Sequence, residues 1–457
     1  MVSTELVVVG CQSGDEGKGK FTDIFSAGAS AVVRFQGGPH TGHTVVTADG
    51  EYRFIQLPAG MQRGIQGVLG NGCVIEPGGL LGELDELGLE PSPERLLISE
   101  NAHVVMPYHP LQDEAMERWR GNRLATSPTS GFVTGAGQLG STKRGVGPCR
   151  EDKIARIGIR MIDLLDRDLL SAQLKRLVPL KIAYLERVHK MPAQRLQGEM
   201  EVDRLIEECL DYGRRLAPCI GDVSAALRRL RADGGYVVYE GAQSLALDVE
   251  HGTYPYCSSG YSAACGVTVG TGSPPSTPYT VVGVAKGYMA QVGGGPLPTE
   301  LDGSVADHLV DRGREVGTVT GRRRRVGWFD MAFVRKAIEI DGIRHLCLTN
   351  IDVLAGLPEV WISTGYRVDG EIRSIYPAAL GEAARVEPVY VKLDGWDEQD
   401  WDEVASAGYE ALAPAARAYV EFIVESLDVS LAAVSIGRRR DQTIFVDAPV
   451  RGAFTLS

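Results

Sequence analysis

Residues 5–20 read ELVVVGCQSGDEGKGK, an apolar run that enters a glycine-rich turn. Leu6 to Val9 run without a polar break into Gly10. A continuous apolar run of this kind suits a strand covered on both faces, hence a largely parallel sheet. The residues after it, Gly14-x4-Gly19-Lys20, match the first part of a phosphate-binding loop, with Phe21 where that pattern has Ser or Thr. Backbone amides of Gly14, Gly17 and Gly19, with Lys18 or Lys20, would hold anionic oxygens at the end of the strand. The same loop carries two carboxylates, Asp15 and Glu16, which oppose a triphosphate. On these residues alone a second reading stays open, in which the glycines only make a tight turn and the charges are solvated.

Four further runs repeat the pattern of the first: GYVVYEG (235–241), YTVVGVAKG (279–287), HLCLTN (345–350) and LAAVSIG (431–437). Helical spacing separates them. Val202, Leu205, Ile206, Cys209, Leu210, Gly213 and Leu216 recur at intervals of three and four. DVSAALRRLRADGG (222–235) opens on Asp222 as a cap and closes on glycine. Strands alternating with helices predict an α/β fold, a single elaborated domain over residues 1–457 around a largely parallel central sheet, with ligands at the carboxyl ends of strands. GSPPSTPY (272–279) reads as a turn and DGWDEQDWDE (394–403) as an acidic solvated loop.

A formal charge of −12 argues against a protein that coats nucleic acid. No apolar run is long enough to cross a bilayer, and MVSTELVVVGCQ carries no basic leader, which argues against secretion. Eight cysteines form no CxxC pair, so free thiols in a reducing cytoplasm are expected.

Three more segments carry chemistry. RFQGGPHTGHT (34–44) brings His40 and His43 together in a glycine-rich loop, where one of them can serve in proton transfer. GTVTGRRRRVGW (317–328) sets four arginines between small residues and an apolar run, so some of them point inward. Arginine forks suit carboxylates and phosphates, and an anionic small substrate fits this acidic chain better than nucleic acid. CLTNIDVL (347–354) places Asp352 just beyond a strand, where a carboxylate can accept from N1–H and the 2-amino group of guanine.

Taken in order, GCQSGDEGKGK, GGPHTGHT, STKRGVGP, YEGAQSLALDVEHGTYPY, GPLPTE, TGRRRRVGW and LTNIDVL resemble the adenylosuccinate synthetase family from about Glu5 to Asp447. The resemblance implies a magnesium-dependent ligase that joins L-aspartate to inosine monophosphate (IMP) at the expense of GTP, on a largely parallel α/β fold that dimerises. It makes Asp15 the group that removes the N1 proton and also binds Mg²⁺, and His43 the donor to the charge developing on the 6-oxygen. The Gly42 carbonyl matches a second magnesium ligand. The triphosphate site would draw on Gly14 to Lys20 (Asp15, Glu16, Gly17, Lys18 and Gly19 among them), on Gly42, His43, Thr44 and Arg324, and on Asn350, Ile351, Asp352, Ser435, Ile436 and Gly437. Asp15, Lys18, His40, Thr41, Gly42, His43, Thr142, Gln243, Ser258 and Arg322 match positions around the purine monophosphate. Arg156 matches an arginine supplied by the neighbouring subunit. The loop Thr318, Val319, Thr320, Gly321, Arg322, Arg323 and Arg324 would close over aspartate.

The chain departs from the family pattern close to the expected ligands. Ser13 stands where a Trp is usual and His40 where Asn is usual. CSSGYSAA (257–264) replaces a segment rich in Thr, Ser and Asn, Asn350 replaces a Lys, and Ile436 replaces a Thr. Two substrate readings follow: IMP, or (d)GMP as in the relatives that make 2-aminoadenylosuccinate. Asn350 also makes ATP thinkable as the donor. Outside the ligases, the phosphate loop and Asp352 would serve a guanine-nucleotide switch without ligase activity. A structural paralogue without activity is a further reading.

Overall fold

The computed structural model describes residues 5–122, 139–316, 321, 323–383 and 385–446. Ten strands form its main sheet: β1 (Glu5–Gly10), β2 (Ala31–Arg34), β3 (Gln66–Leu69), β4 (Leu96–Ser99), β5 (Ile220–Gly221), β6 (Val237–Glu240), β7 (Thr280–Lys286), β8 (His345–Thr349), β9 (Ser430–Ser435) and β10 (Thr443–Phe445). Their spatial order is β10-β9-β8-β7-β1-β6-β2-β3-β4-β5. Every neighbouring pair is parallel except β9 with β10.

All five apolar runs singled out in the sequence are strands of this sheet. β1 lies at its centre with every residue buried, as a run without polar breaks requires. Val7 and Val9 face one hydrophobic cluster, while Leu6 and Val8 face another with Phe21 and Phe25 of the helix α1 (Lys18–Phe25). The two helical patterns form helices Val202–Leu216 and Val223–Ala232. Asp222 caps the second, its carboxylate accepting from the Ala225 amide at 2.9 Å.

The stretch 394–403 corrects the expectation of a solvated loop. Trp396 is buried in the main core with its ring 5.6 Å from Tyr419, and Asp400 caps the helix Trp401–Ala407. The aromatic residues outweigh the acids between them: a tryptophan buries a large apolar area while the carboxylates still reach water. A smaller sheet around Glu359–Val368 flanks the main one.

In the parallel part of the sheet every strand delivers its carboxyl end to the same edge. The loops after β1, β2, β6, β7, β8 and β9 therefore converge there, on both sides of the central strand.

Candidate active site

The loop after β1 resolves its own charge problem. Gly14 and Gly17 both take φ 91°, and Asp15 between them takes φ 60°. This tight turn drives Glu16 inward: its Oε1 accepts from the amides of Gln12 (3.0 Å) and Gly14 (2.9 Å), and its Oε2 pairs with Lys18 Nζ. Glu16 thus shapes the loop from within, fully buried. Asp15 is the acid left at the wall of a cavity of about 520 Å³, its side chain 34% exposed. Gln12 fastens the loop to β7, donating to the Lys286 carbonyl at 3.0 Å and accepting from its amide at 2.9 Å.

Helix α1 leaves this loop toward the strand His43–Thr47 that follows the histidine segment. The approach is close: a Cβ on Gly19 would lie 2.8 Å from His43 Cβ. Lys18 and Lys20 diverge, because residues two apart do not share a helix face. Lys18 borders the cavity. Lys20 turns its amine to Ser435 Oγ (2.8 Å) and to the carbonyls of Gly437 and Gln442 (3.1 Å each), holding the loop beyond β9. Burial lowers its pKa to about 7. Asp23, on the same helix, holds that loop a second time through Arg440, whose Nε lies 2.6 Å from Oδ2.

His43 belongs to a buried charge network. Its Nδ1 meets Glu240 Oε1 and lies 3.2 Å from Arg34 Nη2. Sheet register produces the arrangement: Arg34 ends β2 directly beside Glu240, which ends β6, and Arg34 Nε donates to Glu240 Oε2 at 3.0 Å. The Ala59 amide donates to the same oxygen at 3.0 Å. Burial alone pushes the Glu240 carboxyl up, but Arg34 and then His43 outweigh it and hold the pKa at about 2. Burial lowers the His43 pKa, with Glu240 opposing. An ionised Glu240 keeps the proton on Nδ1, so the imidazole presents Nε2 to the cavity.

The other end of the cavity gathers residues from four segments. His40, Thr41 and Gly42 come from the loop after β2, and Gln243 from the turn after β6. Gln243 Nε2 lies 2.7 Å from His40 Nε2 and donates to Thr41 Oγ1 at 3.0 Å. Thr142 and Ser258 complete this wall. The Thr142 loop is held by two acids of the helix Tyr108–Asn122. Glu117 accepts from the amides of Leu139, Gly140 and Ser141 at 3.0–3.3 Å, and Asp113 from Ser141 Oγ at 2.7 Å and the Gly145 amide at 3.1 Å.

On the side of β8, Asp352 has a buried Oδ1 without a hydrogen-bond partner. Burial raises its pKa to about 6. Asn350 takes φ 58°, Ile351 is fully buried, and Ile436 is buried at the start of the loop after β9 with Ser435 and Gly437 on either side. Arg324 is buried with Nη1 2.8 Å from Glu315 Oε2 and Nε 2.9 Å from Asp15 Oδ2. Arg323 pairs with Asp307 at the surface. Gly321 takes φ 65° with open space around it. Thr318, Val319, Thr320 and Arg322 lie outside the described residues. Thr44 stands in the hairpin strand beside His43, and Arg156 is exposed at the end of the helix Val146–Ala155.

A family profile described as adenylosuccinate synthetase matches residues 7–444. The chain belongs to the adenylosuccinate synthetase family. It is 40% identical over 449 residues to an adenylosuccinate synthetase of Synechococcus sp. (strain RCC307), covering 98% of each chain. It is 42% identical over 450 residues to that of Lysinibacillus sphaericus (strain C3-41), covering 97% of this chain and 99% of the relative. The fully ligated adenylosuccinate synthetase of Plasmodium falciparum superposes with a TM-score of 0.86 at 31% identity, covering 97% of this chain and 99% of that one. The succinoaminodeoxyadenylate synthetase of cyanophage S-2L, solved with dGMP and dATP, shares the fold with a TM-score of 0.58 at 19% identity, covering 100% of this chain and 99% of that one. Members of the adenylosuccinate synthetase family are carbon–nitrogen ligases, and this chain is an enzyme of that type.

Adenylosuccinate synthetases use magnesium, and the residues here suit it. Magnesium takes oxygen ligands and usually only one or two protein carboxylates besides substrate phosphates. Asp15 and Gly42 both border the cavity, offering one carboxylate and one carbonyl. Among the described residues no cluster of three His, Cys, Asp or Glu competes as a metal site. Sequence reasoning missed Glu240, Asp113 and Glu117. Glu240 stood in the quoted YEG turn, but its partner lies 206 residues away. The two acids of the helix Tyr108–Asn122 had no local signal.

Proposed function

We propose that this chain condenses L-aspartate with the 6-oxo carbon of IMP at the expense of GTP, through a 6-phosphoryl intermediate. The observation that carries the reading is that Asp15 and His43 border one cavity while Glu16 is withdrawn from it. Asp15 takes the N1 proton, which moves charge onto the 6-oxygen. That oxygen forms a bond to the γ-phosphorus as the bond to the β-phosphate oxygen breaks. His43 meets the growing charge as the imidazolium, a form the Glu240 carboxylate favours against burial: Nδ1–H is held by Glu240 and Nε2–H donates to the oxygen. The aspartate amine then forms the C6–N bond as the C6–O bond breaks, and the phosphate leaves with the oxygen and takes the proton the amine gives up. Magnesium held by Asp15 and the Gly42 carbonyl would offset the phosphate charge beside the carboxylate.

The unpartnered Asp352 Oδ1 supports guanine as the donor base, because adenine offers no matching pair of donors. Thr142, Gln243, Ser258 and the neighbouring wall at His40 suit the 5′-phosphate. The exposed Arg156 suits a site shared across a homodimer, and Arg322 and Arg324 suit the aspartate carboxylates, whereas Arg323 is turned to Asp307 at the surface. No described helix is long and apolar enough to cross a membrane, and with free cysteines the chain fits the cytoplasm. One observation favours a second substrate: Ser13 borders the cavity with a small side chain, leaving room for the 2-amino group of (d)GMP.

The test crosses IMP, GMP and dGMP with GTP and ATP, with and without L-aspartate, reading phosphate release and the ultraviolet shift of the purine. Strict dependence on aspartate with IMP and GTP is expected. Slow hydrolysis indifferent to aspartate would leave a nucleotide switch instead.

A further inference from the structure

The helix Val146–Ala155 gives Gly147, Pro148 and Glu151 to the cavity wall, and between them it carries a side chain with no assigned task. Arg150 is only 8% exposed. Its Nη1 has no hydrogen-bond partner, and its Nη2 has the Gly72 carbonyl at 3.4 Å. Among the described residues no carboxylate forms an ion pair with it. Asp248, whose charge reaches it, is engaged by the amides of Glu250 (2.9 Å), His251 (3.1 Å), Ala263 (3.0 Å) and Ser262. A buried guanidinium left in this state is costly unless something with negative charge arrives.

Lys18 and Arg120 on the cavity lining, and Arg34 and Lys153 behind it, are occupied. Lys18 pairs with Glu16, Arg34 with Glu240, and Arg120 with Glu117. Lys153 donates to the Asn71 carbonyl at 2.7 Å. Burial, followed by the charge of Arg150, lowers the His40 pKa to about 3, so the imidazole is neutral.

The guanidinium lies against the loop that walls the cavity. A Cβ on Gly260 would come within 1.8 Å of Nη1 and 2.4 Å of Cζ, so a methyl there would displace the guanidinium. Ser258 and Ser259 of the same loop border the cavity, and Ser258 Oγ is a buried hydroxyl without a partner. The guanidinium stands behind this wall rather than on its lining, so a largely uncompensated positive charge backs an unpartnered wall hydroxyl, a setting that favours a dianionic oxygen group.

We propose that Arg150 is a specificity-determining residue that supplies, from within the same subunit, the positive charge a phosphate monoester needs at the Ser258–Ser259 wall. The inference rests on the monophosphate reading above and adds a charge to this end of the site that does not depend on a neighbouring subunit.

The test is calorimetric binding of IMP and of inosine to the full-length chain, comparing the wild type with Arg150→Met, Arg150→Lys and Gly260→Ala. The wild type is expected to prefer IMP. Arg150→Met should cut the IMP-to-inosine preference about tenfold or more, the scale of a charge-assisted hydrogen bond. Arg150→Lys should keep part of it. Gly260→Ala, which displaces the guanidinium without removing it, should lose as much as Arg150→Met and carries the test should that variant not fold. If both ligands weaken together, or the preference stays unchanged, Arg150 is a packing residue and the inference is overturned. If the wild type binds neither IMP nor dGMP, the monophosphate reading falls and takes the inference with it.

Discussion

Arg324 bridges the loop's free acid and a buried one, with Nε 2.9 Å from Asp15 Oδ2 and Nη1 2.8 Å from Glu315 Oε2. Glu315 is held in turn by Lys286 at 2.6 Å and by Tyr288 at 2.5 Å, so the far end of the bridge is fixed. The near end must be exchanged when Asp15 turns to a purine. Arg324→Met is therefore expected to raise KM for L-aspartate about tenfold or more, on the scale of a lost charge-assisted hydrogen bond, with a much smaller change in KM for IMP. Steady-state kinetics with each substrate varied in turn checks this. An unchanged aspartate KM would leave Arg324 as a structural partner of Glu315 alone.

Asp15→Asn keeps the size of the side chain and removes its basicity. A fall in kcat by about a thousandfold is expected, within the usual range for a general base. Circular dichroism should report an intact fold, since Glu16 and not Asp15 holds the loop amides. A variant that turns over IMP at an appreciable fraction of the normal rate would take the base role away from Asp15. His43→Asn should cost about a hundredfold or more in kcat by the same measurement.

Glu240→Gln should lower kcat about tenfold to a hundredfold, because the amide no longer fixes the Nδ1 proton of His43. It should also lower Tm near neutral pH. The sign of the pH dependence follows from the depressed carboxyl. Glu240 stabilises the fold above its unfolded pKa of about 4.3, and that contribution is lost as pH falls toward about 2. The Tm gap between wild type and variant should therefore narrow between pH 5 and the lowest pH at which the protein stays soluble. A gap that widens in acid would contradict an ionised Glu240.

Asp352, with its pKa raised to about 6 by burial, is largely protonated at pH 5 and largely ionised at pH 7. Only the ionised form offers two acceptors to guanine. GDP binding is expected to tighten about tenfold between those pH values, as the ionised fraction of a single group does. Asp352→Asn should bind weakly with little pH dependence. Calorimetric titration at several pH values measures both.

Much of this was legible before any coordinates. Runs such as Leu6–Val9 and Leu346–Leu348 can be read as buried parallel strands because no polar residue interrupts them, and the glycine-rich turns after them mark the ligand-bearing edge. Spacing alone could not tell Asp15 from Glu16. The distinction comes from two positive-φ glycines that turn one carboxylate onto the loop's own amides. Spacing could not tell Lys18 from Lys20 either: both complete a phosphate-loop pattern, and the helical rotation sets Lys18 at the cavity and Lys20 against Ser435 and Gly437. Glu240 and Arg150 were silent because their meaning lies in partners brought close by strand register and by one bare glycine. Trp396 shows the converse, an aromatic drawn into the core from a stretch whose composition looks solvated.

The contact of Gly19 with His43 has a consequence for alignment. With 2.8 Å between the place of a missing methyl and the imidazole's own Cβ, the first turn of α1 and the histidine strand cannot shift independently. A shift of the glycine turn would therefore be carried straight to the seat of the ring, which ties the geometry of the phosphate loop to that of the imidazole. An alanine at that point would leave every reacting group present and put them out of line.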